Sequence, residues 1–211
     1  MFVVFDMFEC ESVTSHTTLT HSSKLKSLNC VCVFHHAHNE MTNIQVREDE
    51  AEIDFVIKMY DDGKLTRILK DLRPRDEVMI RGPRGNIHYK GNGVFRLVSS
   101  SSMRTFKSIN MIAGGTGLTP MLQILRQVYN HDDDTKTHFR LIYCVRNSDD
   151  IILIDEMVRL DKNDRIDVII VLTGKDVPKD WPGISGKMNE ALIRKYALEA
   201  SSSDTFNLLC G

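Results

Sequence analysis

The residues with the clearest chemical potential are three glycines around one threonine: Gly114, Gly115, Thr116 and Gly117. An apolar run at 109–113 precedes them, and Thr119 and Pro120 follow at the start of an apolar helical pattern. This order predicts a strand, a tight turn and a helix, with Thr119 as the N-cap and Pro120 at the first helical position. Glycines let a backbone approach a flat ring or a phosphate, and a helix N-terminus attracts an anion. The segment therefore predicts a nucleotide site.

The spacing of these glycines departs from two common nucleotide-binding fingerprints. The dinucleotide fingerprint is Gly-x-Gly-x-x-Gly and the Walker A pattern closes with Gly-Lys-Ser/Thr, and residues 114–120 match neither. A tight turn that serves the fold alone is the alternative interpretation. The glycines by themselves leave both open.

Composition excludes several classes of function. The formal net charge of −2 over 211 residues predicts no nucleic-acid partner, because such proteins normally carry a basic surplus. No apolar run is long enough for a transmembrane segment, and the N-terminus lacks the pattern of a secretory signal. The five cysteines show no disulfide-framework spacing, so we expect a reducing, cytoplasmic setting.

The elements that position the glycine turn alternate between strand and helix. Apolar residues at helical spacing give the second predicted helix an inward face of Ile151, Ile154 and Val158. Apolar strands separated by helices predict a parallel sheet that binds ligands at the carboxyl ends of its strands. The predicted strands are Ser108–Ala113, Phe139–Val145, Ile166–Leu172 and Phe206–Cys210, and the predicted helices are Pro120–Tyr129, Asp150–Leu160 and Met188–Ala197.

The pattern upstream is less regular. We predict a strand at Ala51–Tyr60, a short helix at Lys64–Leu72, and two strands at Glu77–Arg81 and Ile87–Lys90 joined by a Gly/Pro turn. Ser99–Ser102 is predicted to be a linker or an exposed loop. Residues 1–43 are predicted to be poorly ordered or foreign to the fold, apart from a short strand at 30–34.

Five stretches of the chain form a set of motifs that occur in order and in register. They are Val-Ile-Lys-Met-Tyr at 56–60, Gly-Lys-Leu-Thr at 63–66, Arg-Gly-Pro-Arg-Gly at 81–85, the glycine turn within 111–121, and Leu-Cys-Gly at 209–211. Together they resemble the NADH–cytochrome b5 reductase family within the ferredoxin–NADP reductase superfamily. The resemblance covers about 160 residues and implies an antiparallel FAD-binding barrel, present here in part at 44–103, and a nicotinamide-binding α/β domain at 104–211.

The resemblance also implies roles for individual residues. The loop Gly63, Lys64, Leu65 and Thr66 would open the helix that holds the FAD pyrophosphate, and Lys58 would lie near the cofactors. The turn Gly114–Gly117, with Thr119 and Pro120, would bind the nicotinamide and face the flavin. Thr116 and Cys210 would be the catalytic residues, because Cys210 would approach the nicotinamide where hydride passes to the flavin.

Three features depart from the family pattern. Before the strand at 53–60 the family has Arg-x-Tyr-Thr, but here only Thr42 agrees, so a phosphate clamp and an aromatic contact are missing. The sequence stops just after Cys210, before the proline run, last helix and aromatic tail that the family would have. Lys175 falls where an aspartate is expected, and Asp176 restores the acid only with a one-residue shift, so NADPH is an alternative to NADH.

Two functional hypotheses from different classes remain. The first is a flavin-dependent oxidoreductase that passes hydride from NAD(P)H to FAD and electrons to a haem protein such as cytochrome b5; a fuller form would be membrane-associated. The second is a catalytically silent fragment that binds a nucleotide or a protein weakly. The donors Cys30, Cys32, His35, His36 and His38 match no standard closed zinc site, so we predict no metal.

Overall fold

The computed structural model describes residues 2–4, 42–47, 52–56, 64–76, 86–130, 135–199 and 203–211, with the backbone alone up to residue 66. Two short antiparallel sheets and one larger parallel sheet account for the strands in this part of the chain. In chain order the elements are β1 Phe2–Val4, β2 Thr42–Arg47, β3 Glu52–Val56, α1 Lys64–Lys70, β4 Ile87–Tyr89, β5 Val94–Leu97, β6 Ser102–Thr105, β7 Ser108–Gly114, α2 Leu118–Asn130, β8 His138–Val145, α3 Ile154–Leu160, β9 Ile166–Leu172, β10 Ile184–Ser185, α4 Glu190–Tyr196 and β11 Thr205–Cys210.

The larger sheet has six parallel strands in the order β1-β11-β7-β8-β9-β10. Ile109 and Met111 of β7 are fully buried on the side that holds α2. Asn110 alternates with them and lies on the other side, where its amide donates to the carbonyl of Leu198 beyond α4. Because both faces of the parallel sheet are covered, its strands are rich in apolar residues and do not alternate strictly between apolar and polar ones. The predicted parallel α/β domain is confirmed.

The antiparallel part contains strands that the sequence pattern did not reveal. Strand β4 pairs with β5, and β5 pairs with β6. Ser99–Ser102 was predicted to be a linker or an exposed loop, and residues 98–101 form the exposed turn between β5 and β6, so the linker interpretation is wrong. Strand β2 pairs with β3 in a second antiparallel sheet. The predicted strand at 77–81 and the turn at 82–85 lie outside the described residues.

Helix α3 differs from its prediction in both length and orientation. It begins at Ile154 rather than Asp150, after a single 3-10 turn at Ser148–Asp150 and a left-handed Leu153. Ile154 and Val158 are 40% and 52% exposed, so their predicted inward position is wrong, whereas Ile151 packs against the core. Met157 and Leu160 are buried instead. The helical count began at Ile151, which lies in an extended segment, and this offset rotated the predicted face.

The N-terminal segment supplies an edge strand. Strand β1 runs parallel to β11, with Val3 opposite Leu208. The prediction that residues 1–43 hold no element except at 30–34 is therefore wrong for Phe2–Val4, and also for Thr42 and Asn43, which begin β2. The zinc-donor residues 30–38 and the predicted strand there lie outside the described residues.

Five aromatic side chains join the antiparallel sheet to the parallel one. The ring of Phe106 stacks on that of Phe206 with centroids 4.6 Å apart, and Phe95 meets Phe206 edge-on at 5.0 Å. Tyr89 contacts Phe95 at 4.9 Å and Phe139 at 5.9 Å. All five are buried, and they come from β4, β5, β8, β11 and the connection between β6 and β7. We call these five residues the aromatic cluster. Through this cluster the antiparallel sheet of β4, β5 and β6 shares one core with the parallel sheet.

Candidate functional site

The carboxyl ends of four neighbouring strands form one edge of the parallel sheet. In the sheet order, β11 and β8 lie on either side of β7, and β9 follows β8. The edge therefore collects Cys210 and Gly211, the turn Gly114–Gly117, the residues after Val145, and the residues after Leu172. Open parallel sheets bind ligands at this edge. The predicted neighbours Gly114–Gly117 and Cys210 are thus brought together.

The glycine turn runs directly into helix α2. Residues Gly115–Gly117 form a 3-10 turn capped by Gly114, and α2 begins at Leu118. The predicted N-cap role of Thr119 is therefore wrong, as is the placement of Pro120 at the first helical position. Thr119 is buried inside the first turn of α2, and its hydroxyl donates to the carbonyl of Thr116 at 3.1 Å. The 3-10 turn extends the helical backbone toward the strand, which moves the cap upstream.

Gly115 and Gly117 occupy the turn for different structural reasons. A side chain at Gly117 would overlap the carbonyl of Cys210 and come within 2.7 Å of the nitrogen of Gly211. Gly115 has a positive φ of 51°, and a side chain there would meet nothing within 4 Å. Gly117 therefore lets two backbones touch, whereas Gly115 leaves an open surface above the turn. An open backbone surface of this kind accommodates a flat ring.

Cys144 lies in β8 directly opposite Gly114 of β7 and is half-buried. Burial raises the pKa of its thiol to about 11. Burial also raises the pKa of the neighbouring Tyr143 to about 12. Both side chains therefore stay neutral at physiological pH, and they add no charge beside the glycine turn.

Because the thiol of Cys144 is neutral, we expect it to resist alkylation. At pH 8 only about one thiol in a thousand would be ionised, and the thiolate is the reactive form. Iodoacetamide labelling followed by peptide mass mapping should show Cys144 modified far more slowly than a cysteine placed at exposed Ser99, with the rate rising up to pH 11. Equal labelling of both at pH 8 would contradict this assignment.

The loops after β8 and β9 are held together by their backbones. The amide of Thr173 donates to the carbonyl of Val145, and the amide of Gly174 donates to the carbonyl of Arg146, both at 2.8 Å. Lys175 and Asp176 follow and are exposed. The structure thus places the predicted residues Lys175 and Asp176 at the binding edge, two strands away from the glycine turn.

Only some of the residues predicted to bind the flavin lie in the part of the chain that the structure describes. Helix α1 begins at Lys64, so Lys64, Leu65 and Thr66 form its first turn. Thr42 is the first residue of β2 and pairs with Val56. Lys58 and Gly63 lie outside the described residues.

Two oxidoreductase domain families match the chain. The oxidoreductase FAD-binding domain matches residues 18–89, and the oxidoreductase NAD-binding domain matches residues 111–211. The NADH-cytochrome b5 reductase 1 of Eremothecium gossypii is 35% identical over 161 residues, which cover 75% of this chain and 51% of that protein. The chain belongs to the NADH–cytochrome b5 reductase family.

Other b5 reductases are also similar to this chain in sequence and in structure. The NADH-cytochrome b5 reductase 1 of Homo sapiens is 33% identical over 183 residues, covering 81% of this chain and 59% of that protein. The cytochrome b5 reductase domain of Ulva prolifera nitrate reductase superposes with a TM-score of 0.68 and 31% identity, over 75% of this chain and 63% of that one. The CS-b5R domains of human Ncb5or give a TM-score of 0.62 at 25% identity, over 82% and 48%.

These matches confirm the fold and the family cofactors, FAD and NADH. The FAD-binding match begins at residue 18, inside residues 1–43, which are predicted to be poorly ordered or foreign to the fold. The chain spans about half the length of the curated b5 reductases it matches. Within the described residues, no helix is long and apolar enough to cross a membrane.

Sequence reasoning missed Arg146 as a candidate site residue. It is the first residue after β8 and is exposed at the binding edge. The signal was present, because the strand-end rule that identified Gly114 and Cys210 applies equally to the predicted end of β8 at Val145.

Proposed function

We propose that the chain passes hydride from NAD(P)H to FAD, and then single electrons to a haem protein such as cytochrome b5. One observation carries this proposal: Gly117 packs against Cys210 and Gly211 while Gly115 leaves an open surface above the same turn. In this proposal the nicotinamide lies on that open surface at the sheet edge, beside the predicted catalytic residues Thr116 and Cys210. The b5 reductase relatives make hydride and electron transfer the reaction class that this site fits.

The part played by the protein in this reaction is to bind and to orient. Bound nicotinamide and flavin supply the hydride and electron chemistry, so no general base is needed. Gly114–Gly117 would hold the nicotinamide against the start of α2, and the backbone of Cys210 is fixed in position by its contact with Gly117. Fixed placement of reacting groups at near-attack distance is a large part of such catalysis. The neutral thiol of Cys144 adds no charge of its own beside the turn.

The flavin would be held by the N-terminal half of the chain. We assign its pyrophosphate to the loop of Gly63, Lys64, Leu65 and Thr66, with Lys58 and Thr42 nearby. The start of α1 at Lys64 and the FAD-binding match at 18–89 support this assignment. We also propose a cytoplasmic location, since the cysteines lack a disulfide framework, with membrane association in a fuller form.

A second candidate is a catalytically silent nucleotide binder. The sequence before Thr42 is Asn-Glu-Met at 39–41, without the arginine and tyrosine that the family has there. A phosphate clamp of two parallel charge-assisted hydrogen bonds would then be missing from the flavin site. In this second candidate function the glycine turn still binds a nucleotide, but the electron-transfer step does not occur.

Flavin content separates the two candidates. If the first is correct, the purified full chain will be yellow, with absorption at about 450 nm, and will reduce ferricyanide with NADH. The variant Gly117→Ala should keep the colour and lose the ferricyanide activity. A colourless chain that gains no activity when FAD is added, yet still binds ADP-ribose by calorimetry, would establish the second candidate instead.

A further inference from the structure

The loops after β8 and β9 form a small surface of their own at the binding edge. We define the ribose edge as residues 146–150 and 173–176. Gly174 has no space for a side chain because the carbonyl of Arg146 and the amide oxygen of Asn147 occupy it. The hydroxyl of Thr173 also donates to the carbonyl of Val145 at 3.0 Å. These contacts fix the two loops side by side.

The ribose edge presents two cations next to the strand ends. Arg146 and Lys175 are both exposed, and among the described residues neither forms an ion pair. The first two residues after β9, Thr173 and Gly174, carry no charge. Neither strand therefore ends in the acidic residue that would accept hydrogen bonds from a ribose 2′-hydroxyl.

Four carboxylates also belong to these two loops or to the residues just after them. Asp150 accepts a hydrogen bond from the amide of Asn147 at 3.3 Å, and Asp149 accepts one from the hydroxyl of Ser148 at 3.4 Å. Asp176 and Asp180 are exposed and lie further along the loop after β9. They follow Arg146 and Lys175 in the chain, so the cations are closer to the ends of their strands.

The geometry points to recognition of a phosphate on the adenosine ribose. In open α/β sheets an acid near the strand end favours the unphosphorylated coenzyme, and an arginine there accommodates a 2′-phosphate. Arg146 directly follows the strand–helix–strand unit β7-α2-β8, and Lys175 is the third residue after the next strand, β9. We infer that this chain binds NADP(H) more tightly than NAD(H). The inference rests on the proposed function, since it concerns the same nucleotide site.

Calorimetric titration of the full chain with two small probes tests this inference. We expect 2′-phospho-ADP-ribose to bind at least about tenfold more tightly than ADP-ribose, as one charged hydrogen bond would give. Arg146→Gln and Lys175→Gln should each remove most of that ratio, and Lys175→Asp should reverse it. Lys162→Gln, in the exposed turn after α3 and before β9, removes the same charge and should leave the ratio unchanged.

The outcomes distinguish this inference from the proposed function. If neither probe binds, the nucleotide site itself is wrong. If both bind with equal affinity, or ADP-ribose binds better, the site stands and the inference about the ribose edge is overturned. If Lys162→Gln lowers the ratio as much as the edge variants do, the preference reflects net charge, and this also overturns it.

Discussion

Replacing Gly117 with alanine is expected to lower the free energy of unfolding by about 1–3 kcal/mol and to abolish nicotinamide binding. A methyl group there would overlap the carbonyl of Cys210 and meet the nitrogen of Gly211. These are backbone atoms of a neighbouring parallel strand, so they cannot rotate away as a flexible side chain would. The strand end carrying Cys210 would have to move, and the binding edge would move with it.

Gly115→Asn is the matched control for this substitution. Gly115 has a positive φ, which asparagine tolerates better than most residues, and a side chain there meets nothing. We therefore expect a smaller loss of stability than in Gly117→Ala, because the cost is backbone strain without a steric overlap, and a side chain in the open surface where the nicotinamide would lie. Urea denaturation and calorimetric titration with NADH measure both effects. If Gly117→Ala is as stable as the parent chain, or Gly115→Asn binds NADH normally, the assigned roles of the two glycines are wrong.

The strands of the parallel sheet could be predicted because burial on both faces leaves continuous apolar runs. Strands β7, β8, β9 and β11 each contain such a run in their carboxyl-terminal half, after a polar or charged residue further upstream: Asn110, Arg140, Asp167 and Asn207. Strand β6 could not be predicted, because its sequence Ser-Met-Arg-Thr is exposed at three of four positions and is held by pairing with β5. Strand β1 has only three residues and depends on β11, which is about 200 residues away in sequence.

The sequence was enough to predict which strand ends form the candidate site, but not which residues contact each other there. The strand-end rule placed Gly114–Gly117 beside Cys210, and the structure confirms this. The packing of Gly117 on Cys210 joins residues distant in the chain, and no local pattern encodes it. Thr119 has the residue type of an N-cap, but the 3-10 turn before it moved the helix start. Composition alone does not reveal such a turn.

The aromatic cluster joins the antiparallel sheet of β4, β5 and β6 to the parallel sheet. Phe95 belongs to the antiparallel sheet and Phe206 to the parallel sheet, and their buried rings are in contact. Aromatic rings bury large areas and favour the edge-to-face geometry seen here. The second residue of β11 carries Phe206, so the cluster lies toward the amino ends of the strands, away from the nucleotide edge. The aromatic cluster thus attaches the antiparallel sheet to the parallel sheet without covering the candidate site.

Phe206→Ala is accordingly expected to destabilise the whole described region, by about 3–5 kcal/mol. Phe206 contacts both Phe95 and Phe106, so its loss leaves a cavity bordered by both sheets. Val158→Ala, at a residue that is 52% exposed, is the control and should change stability little.

Urea denaturation should be followed by circular dichroism and by fluorescence of Trp181, the single tryptophan of the chain, which lies in the parallel-sheet domain between β9 and β10. If the two sheets share one core, both signals will shift together to lower urea in Phe206→Ala. If Trp181 shifts while part of the circular dichroism keeps the midpoint of the parent chain, the sheets unfold independently, and the aromatic cluster does not couple them. A coupled transition would mean that nucleotide binding at the far edge also stabilises the antiparallel sheet, because a ligand that binds only the folded state stabilises every part that unfolds with it.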